Sequence, residues 1–185
     1  MRIITGCRRG LKLKTPKGMD IRPTTDRVKE SVFNIIGGRV IEATVLDCFA
    51  GTGNLGLEAL SRGADKVIYT DNSSISLKLA KANAELAKLA DKAEFYRMDA
   101  AAAIGTFVAK GLKFDLIFCD PPYNRGLVLA ILRKIDAADI LRTSGLIVVE
   151  HSKHEPVAED LLNLQETRLE HYGETMVSFL TRTVD

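Results

Sequence analysis

The chain has 185 residues, of which 46% are hydrophobic, so it is long enough and apolar enough for one domain with a sizeable core. No apolar run is long enough to cross a bilayer, and the first residues lack the apolar stretch of a secretory signal. The three cysteines are widely spaced and form no CxxC pair, which argues against a disulfide framework or a cysteine-rich metal site and suits a reducing cytoplasm.

The net charge of +2 conceals an uneven distribution along the chain. Residues 1–39 contain ten Lys and Arg against three Asp and Glu, whereas residues 40–185 contain sixteen against twenty-one. Positive charge gathered at one end is typical of proteins that bind a polyanion, although a solvated basic arm has the same composition. We therefore predict a basic N-terminal extension over residues 1–39 and a second domain over residues 40–185.

The N-terminal extension is predicted to begin with a small hairpin of Arg2–Thr5 and Leu11–Lys14. A helix follows, capped by Thr24 or Thr25 and ending near Ile36. Apolar residues at helical spacing give this helix one buried face, and its outer face is predicted to carry Arg27, Lys29 and Glu30.

From residue 43 onward, short apolar runs alternate with helical patterns. Strands are predicted at Ala43–Cys48, Lys66–Thr70, Ala93–Arg97, Phe114–Cys119 and Leu146–Glu150. Helices are predicted near Leu55–Arg62, Ser73–Leu89, Ala100–Ala109 and Gly126–Ile135. This alternation indicates an α/β fold with a parallel, Rossmann-like sheet. Two further runs, Leu164–Tyr172 and Thr175–Thr183, predict a C-terminal antiparallel hairpin that completes a sheet of seven strands.

A glycine-rich loop joins the first of these parallel strands to a helix. Gly51, Gly53 and Gly56 match the G-x-G-x-x-G pattern, and Asp71 follows Gly51 by 20 residues, at a strand end where it can bind ribose hydroxyls. This pattern alone fits NAD as well as S-adenosylmethionine. Asp47, just before the loop, disfavours a pyrophosphate and favours a cationic ligand such as a sulfonium. Asp99 and the adjoining Ala100 follow the third strand, where they can contact an adenine.

The tetrapeptide Asp120-Pro121-Pro122-Tyr123 follows the apolar strand 114–119. The amine on a nucleobase is a poor nucleophile because its lone pair is delocalised into the ring. Asp120 can accept one N–H, and the carbonyl of Pro121 can accept the other, so that the lone pair is aimed at a methyl donor. The two prolines restrict the backbone so that this carbonyl points inward, and Tyr123 can stack on the base.

Three motifs carry a resemblance to a known family. They are 22-RPTTDRVKE-30 with Phe33-Asn34, 46-LDCFAGTG-53 with 57-LEALSRGA-64, and 120-DPPY-123. Along nearly its whole length the chain resembles the bacterial 16S rRNA guanine-N2 methyltransferases that act on guanine 966 of the small subunit. The second and third motifs are shared with many amino-methyltransferases, and the first is more specific.

The resemblance implies a class I methyltransferase fold that uses S-adenosylmethionine and a target amine held by the four residues Asp120, Pro121, Pro122 and Tyr123. It implies a cofactor site formed by Asp47, Phe49, Gly51, Gly53, Asp71, Asp99 and Ala100. It also implies RNA contacts from Arg8, Arg9, Lys12, Lys14, Arg22 and Arg27. The expected partner is 16S rRNA or a small-subunit assembly particle, and we expect a cytoplasmic monomer without a metal or a membrane anchor.

Three alternatives remain open at this point. The D-P-P-Y motif does not distinguish acceptor bases, so an adenine-N6 methyltransferase acting on DNA or RNA has the same catalytic residues. An NAD-dependent oxidoreductase explains the glycine loop but gives Asp47 and Asp120 no task. A non-catalytic RNA-binding module that retains the fold is the third alternative.

Overall fold

The computed structural model describes residues 1–18, 25–157 and 160–183. The helices are α1 (Asp26–Ile36), α2 (Asn54–Ser61), α3 (Ser74–Leu86), α4 (Ala100–Ala109) and α5 (Leu127–Asp136). The strands are β1 (Thr44–Asp47), β2 (Lys66–Asp71), β3 (Ala93–Arg97), β4 (Phe114–Cys119), β5 (Leu141–Ser152), β6 (Leu164–Tyr172) and β7 (Thr175–Arg182). Short 3-10 turns occupy Gly37–Val40 and Ala90–Lys92.

Within these residues the strands form a single sheet in the order β3-β2-β1-β4-β5-β7-β6. Strands β1 to β5 pair in parallel, and β7 runs antiparallel to both β5 and β6. The predicted α/β fold with a C-terminal hairpin is therefore confirmed. The strand order reverses between β1 and β4, and in open sheets of this kind ligands bind beside the carboxyl ends of the strands at that point.

The local sequence explains why these elements form where they do. Thr25 caps α1 by accepting a hydrogen bond on its hydroxyl from the amide of Val28 at 3.2 Å. The apolar face of α1 packs on the sheet, where the Phe33 ring lies 5.5 Å from the ring of Phe118. Strand β4 is nearly all apolar because helices and loops cover it on both faces, and Leu116, Ile117 and Phe118 are fully buried.

The N-terminal hairpin packs into the same core as the sheet. Arg2 and Lys12 form an antiparallel bridge, and the amide of Ile3 donates to the carbonyl of Leu11 at 2.9 Å. Ile3 and Leu13 are buried in one cluster with Val45 of β1. The functional division at residue 39 remains a prediction, but the packing is continuous across it.

Strand β5 is longer than predicted at both ends, since it runs from Leu141 to Ser152 rather than from Leu146 to Glu150. The pairing with β4 shifts between Phe114 and Leu116, so residues 142–145 form a bulged segment. Three of them are exposed polar residues, and they lack the apolar pattern that marks a strand.

Among the described residues, no helix combines the length and the apolar character that a membrane span requires.

Candidate active site

The glycine loop connects β1 to α2 at the carboxyl edge of the sheet. Gly51 and Gly53 have positive φ angles of 52° and 80°, which residues with a side chain rarely adopt. A Cβ atom on Gly51 would meet no other atom closer than 4.0 Å, so this position opens onto space for a ligand. A Cβ atom on Gly56 would lie 2.5 Å from the Tyr69 ring, so the third glycine is needed for packing of α2 on the sheet.

Asp47 lies at the end of β1, and its side chain is almost completely buried. Its Oδ2 accepts a hydrogen bond from the amide of Gly56 at 3.2 Å, whereas its buried Oδ1 has no hydrogen-bond partner among the described residues. Burial raises the pKa of Asp47 to about 8; the Gly56 amide opposes this rise, and the charge of Asp71 adds to it. A cationic ligand group beside Oδ1 would supply the missing partner, which fits a sulfonium or an ammonium group.

Asp71 and Asp99, predicted to contact the cofactor, both shape loops at this edge. Asp71 accepts hydrogen bonds from the amide of Gly51 at 3.0 Å on Oδ2 and from that of Ser73 at 2.8 Å on Oδ1. Asp99 caps α4, because its Oδ1 accepts from the first amides of that helix. A carboxylate oxygen accepts more than one hydrogen bond, so these contacts leave the predicted ligand roles in place.

The remaining predicted cofactor residues, Phe49 and Ala100, follow β1 and β3 at the same edge of the sheet. Phe49 is half-buried in the glycine loop, and Ala100 is buried at the first turn of α4.

Strand β4 lies directly beside β1, and the amide of Cys48 donates to the carbonyl of Phe118 at 3.0 Å. Since Asp120 follows β4 by one residue, the structure places the D-P-P-Y loop and the glycine loop at the same edge of the sheet, on neighbouring strands.

The D-P-P-Y loop is fixed to the sheet through its tyrosine. Pro121 is buried, Pro122 is exposed, and Asp120 is half-buried. The hydroxyl of Tyr123 donates to Oε1 of Glu150 at 2.7 Å and lies 3.1 Å from Oγ1 of Thr175. Burial, followed by the negative charge of Glu150, raises the pKa of Tyr123 and keeps its hydroxyl protonated.

Sequence reasoning gave Glu150 and Thr175 no function. Glu150 ends the apolar part of β5, and Thr175 begins β7. The antiparallel pairing of β5 with β7 brings the two side chains to the same tyrosine. An acidic residue at the end of a central strand was the available signal for Glu150, whereas Thr175 became recognisable only from the strand pairing.

The predicted RNA-binding residues of the hairpin lie at different distances from the glycine loop. At the tip, the amide of Arg8 donates to Oγ of Ser61, the last residue of α2, at 3.0 Å. The amide of Lys14 donates to Oδ1 of Asn83 at 2.7 Å, and Asn83 in turn donates to the carbonyl of Thr52 at 2.9 Å. Helix α2 has eight residues and spans about 12 Å, so Lys14 lies near the glycine loop and Arg8 lies near the opposite edge of the sheet.

The predicted RNA contacts that the structure describes are exposed at the surface, with the exception of Arg8. Arg9, Lys12, Lys14 and Arg27 are exposed, and Arg8 is half-buried. Arg22 lies outside the described residues, together with Pro23 and Thr24 of the family motif.

Lys29 was predicted on the outer face of α1, and this prediction is wrong because the side chain is completely buried. Its Nζ lies 2.7 Å from Oδ1 of Asn54 and 3.4 Å from Oε2 of Glu58, and it also donates to the carbonyl of Arg2. Burial lowers the pKa of Lys29, and the negative charge of Glu58 opposes this effect. The lysine therefore joins α1, α2 and the hairpin.

Glu58 is the centre of this buried network. Its carboxylate accepts hydrogen bonds from the amides of Ile4 at 2.8 Å and Thr5 at 3.1 Å. It also accepts from Nε of Arg62, the residue that follows α2, at 2.8 Å. The N-terminal hairpin is thus bound to the helix that follows the glycine loop.

Comparison with known proteins places the chain among methyltransferase relatives. YlbH of Bacillus subtilis is 40% identical over 178 residues, which cover 96% of this chain and 97% of YlbH. Ribosomal RNA small subunit methyltransferase D of Escherichia coli is 39% identical over 151 residues, which cover 81% of this chain and 74% of that protein. The solved structure of Escherichia coli YhhF has a TM-score of 0.85 and 34% identity, with 98% of this chain and 97% of YhhF covered.

A family model described as "Conserved hypothetical protein 95" matches residues 1–181, so the match includes the hairpin, α1 and all of the sheet except the last residue of β7. The chain therefore belongs to this family and is a relative of the small-subunit rRNA methyltransferase D of Escherichia coli.

Proposed function

We propose that this protein transfers a methyl group from S-adenosylmethionine to the exocyclic N2 amine of a guanine in small-subunit ribosomal RNA. The observation that carries the proposal is the juxtaposition of two loops on neighbouring strands. The glycine loop leaves β1 and the D-P-P-Y loop leaves β4, at the carboxyl edge where the strand order reverses. A methyl donor and a target amine can meet at that edge.

The residues of the glycine loop fit S-adenosylmethionine. Oδ1 of Asp47 is buried without a hydrogen bond from the described residues, and a cation beside it would offset the cost of ionising this carboxylate. The open space next to Gly51 allows a ligand to approach the backbone closely. When bound, S-adenosylmethionine supplies a methyl group on a positively charged sulfur. An NAD pyrophosphate would offer Oδ1 of Asp47 no cation and would oppose ionisation of this carboxyl, so the oxidoreductase alternative is disfavoured.

The D-P-P-Y loop binds and orients the target amine. Asp120 accepts one N–H of the amine, the carbonyl of Pro121 accepts the second, and the lone pair is thereby withdrawn from conjugation with the ring. Tyr123 stacks on the base and fixes its plane. The amine loses one proton as it is methylated, and the carboxylate of Asp120 can take it. A base paired in a helix cannot reach this loop, so the target guanine must lie in a loop or leave its stack.

The positively charged surface of the N-terminal extension supports an RNA substrate. Arg9, Lys12, Lys14 and Arg27 are exposed and can contact phosphates, which orient an RNA but do not read its sequence. The choice of guanine rests on the family motif at residues 22–30, and the choice of small-subunit ribosomal RNA is supported by the relative from Escherichia coli. We assign the protein to RNA substrates on both grounds together.

The proposal is tested by supplying labelled S-adenosylmethionine with protein-free 16S rRNA or with partly assembled small subunits. Digestion of the product to nucleosides should yield N2-methylguanosine, and mapping should place it at one position. A product of N6-methyladenosine would show that the acceptor base is adenine and not guanine. The absence of transfer to either RNA form would overturn the proposal. A comparison of the two RNA forms identifies the preferred substrate.

Asp120→Ala should lower methyl transfer at least about 100-fold, because it removes an interaction that positions the reacting nitrogen. The Kd for S-adenosylmethionine, measured by calorimetry, should remain close to that of the parent protein. Asp65→Ala is the matched control, because Asp65 is an exposed carboxylate in the turn before β2, away from the reacting edge. Retained activity in Asp120→Ala would contradict the assigned mechanism.

A further inference from the structure

We infer that Glu150 and Thr175 are positioning residues, which hold the hydroxyl of Tyr123 and thereby fix its ring for stacking on the target base. The inference rests on the proposed function and extends it to two side chains outside the D-P-P-Y loop. Both side chains belong to the sheet, whereas Tyr123 belongs to the loop between β4 and α5. The contact therefore joins a loop to rigid strands.

The geometry of the contact is that of a strong hydrogen bond. The Tyr123 hydroxyl lies 2.7 Å from Oε1 of Glu150, which is within the range of charge-assisted O–H to carboxylate bonds. Glu150 is only 8% exposed and Thr175 only 4%, so water competes little for the hydroxyl. With its proton retained, the tyrosine donates to Glu150, and the Thr175 hydroxyl adds a second contact at 3.1 Å.

The loop that carries Tyr123 needs such an anchor. Residues 120–126 contain two positive φ angles, at Asn124 and Gly126, so no regular element supports their backbone. A stacking ring must be held to within about 0.5 Å, and an error of about 1 Å near reacting atoms can cost about 100-fold in rate. Two buried side chains on β5 and β7 supply that precision.

The pairing of the strands explains why these two residues meet. Thr175 pairs with Ser152 of β5, two residues beyond Glu150, so both side chains lie on the same face at the same end of the sheet. Strand β5 is also the parallel neighbour of β4, which leads directly into the D-P-P-Y loop. The C-terminal hairpin thus contributes to the substrate side of the site.

The test is a double-mutant cycle of Tyr123→Phe and Glu150→Gln, in which Phe keeps the ring and Gln keeps the shape. Each single variant should lower kcat/KM for the rRNA substrate about tenfold, the size expected for losing a hydrogen bond to a charged group. The double variant should lose no more than either single variant, because both changes remove the same contact. The Kd for S-adenosylmethionine should stay unchanged.

A second comparison uses Thr175, which is buried. Thr175→Val replaces the hydroxyl with a methyl group of similar size, and Thr175→Ser keeps the hydroxyl, so Ser should retain more activity than Val. A purely structural role predicts the opposite order, since Val fills the buried volume better than Ser. Glu85→Gln, an exposed carboxylate on α3, serves as the matched control for loss of a negative charge.

Hydrogen exchange of the amides of Asp120 and of residues 123–126 gives a readout that does not depend on catalysis. Glu150→Gln and Tyr123→Phe should each speed exchange in this loop, and the double variant should match them. Losses in kcat/KM that multiply in the double variant, or exchange that is unchanged in both single variants, would overturn the inference. Failure of the parent protein to methylate RNA would instead overturn the proposed function, while the exchange result would still decide the positioning role.

Discussion

The buried carboxylate of Asp47 predicts that cofactor binding depends on pH. With its pKa raised to about 8, Asp47 is mostly protonated in the free protein at neutral pH. A sulfonium or ammonium group prefers the ionised form, so binding should release up to one proton. The apparent Kd for S-adenosylmethionine should then weaken by about tenfold for each pH unit below 8, or about 100-fold at pH 6.

Calorimetric titration in two buffers with different heats of ionisation measures both the Kd and the number of protons released. Asp47→Asn is the matched control, because the pH dependence of the ligand's own amino group is the same in both proteins. The variant should bind more weakly at pH 8 and should lose the additional slope. An equal slope in both proteins, or a pH-independent Kd in the parent protein, would refute the role of Asp47.

The same carboxylate affects the stability of the free protein. Its pKa is 3.8 as an ordinary aspartate and about 8 in the folded chain, so the folded state binds the proton more tightly. The contribution of Asp47 to the free energy of unfolding therefore falls as pH rises through this window, by about 1.4 kcal/mol for each unit. Urea unfolding of the parent protein and of Asp47→Asn should differ in pH dependence between 4 and 8, and the parent should show the steeper decline.

Two further predictions concern folding, and each is measured by urea unfolding followed by circular dichroism. Glu58→Ala should lower the free energy of unfolding by about 3–5 kcal/mol, because it leaves the buried charge of Lys29 without its carboxylate. Lys29→Met should lower it by less, because Glu58 keeps Arg62 and two backbone amides. Equal losses in the two variants would contradict this network. Gly56→Ala should lower the free energy of unfolding by about 1–3 kcal/mol, because its Cβ would overlap the Tyr69 ring. Gly105→Ala lies in open space within α4 and should instead raise the free energy of unfolding by about 0.5–1 kcal/mol.

Local patterns were sufficient to predict most of the fold. The bounds of β3, β4 and α4 match their predicted ranges. Strand β4 is a nearly unbroken apolar run, β3 contains two adjacent aromatic residues, and α4 has an aspartate cap. Strand β5 was predicted too short because its first residues are polar and bulged, and their pairing depends on a neighbour more than 20 residues earlier. Side-chain periodicity does not report such a pairing.

The parts of the site that depend on long-range contacts were harder to predict. Lys29 shares the helical spacing of Val32, Phe33 and Ile36, so it lies on the buried face of α1. Its charge led to the prediction of an exposed side chain, and the polar partners that permit its burial come from Glu58 of α2 and from the hairpin. Tyr123 was assigned to stacking from its motif, but its contact with Glu150 joins residues 27 positions apart. In both cases the partner is set by the order of the strands and helices in space, which one element's sequence does not encode.

The placement of the hairpin along α2 bears on how long an RNA must be to reach the contacts proposed for Arg8 and Arg9. Its open end lies beside the glycine loop, and its tip lies about 12 Å away, beside the last residue of α2. A ribonucleotide fragment that carries only the target base can occupy the reacting corner without touching Arg8 or Arg9. Fragments extended by several nucleotides on one side should therefore gain affinity in a step, once their phosphates reach the tip.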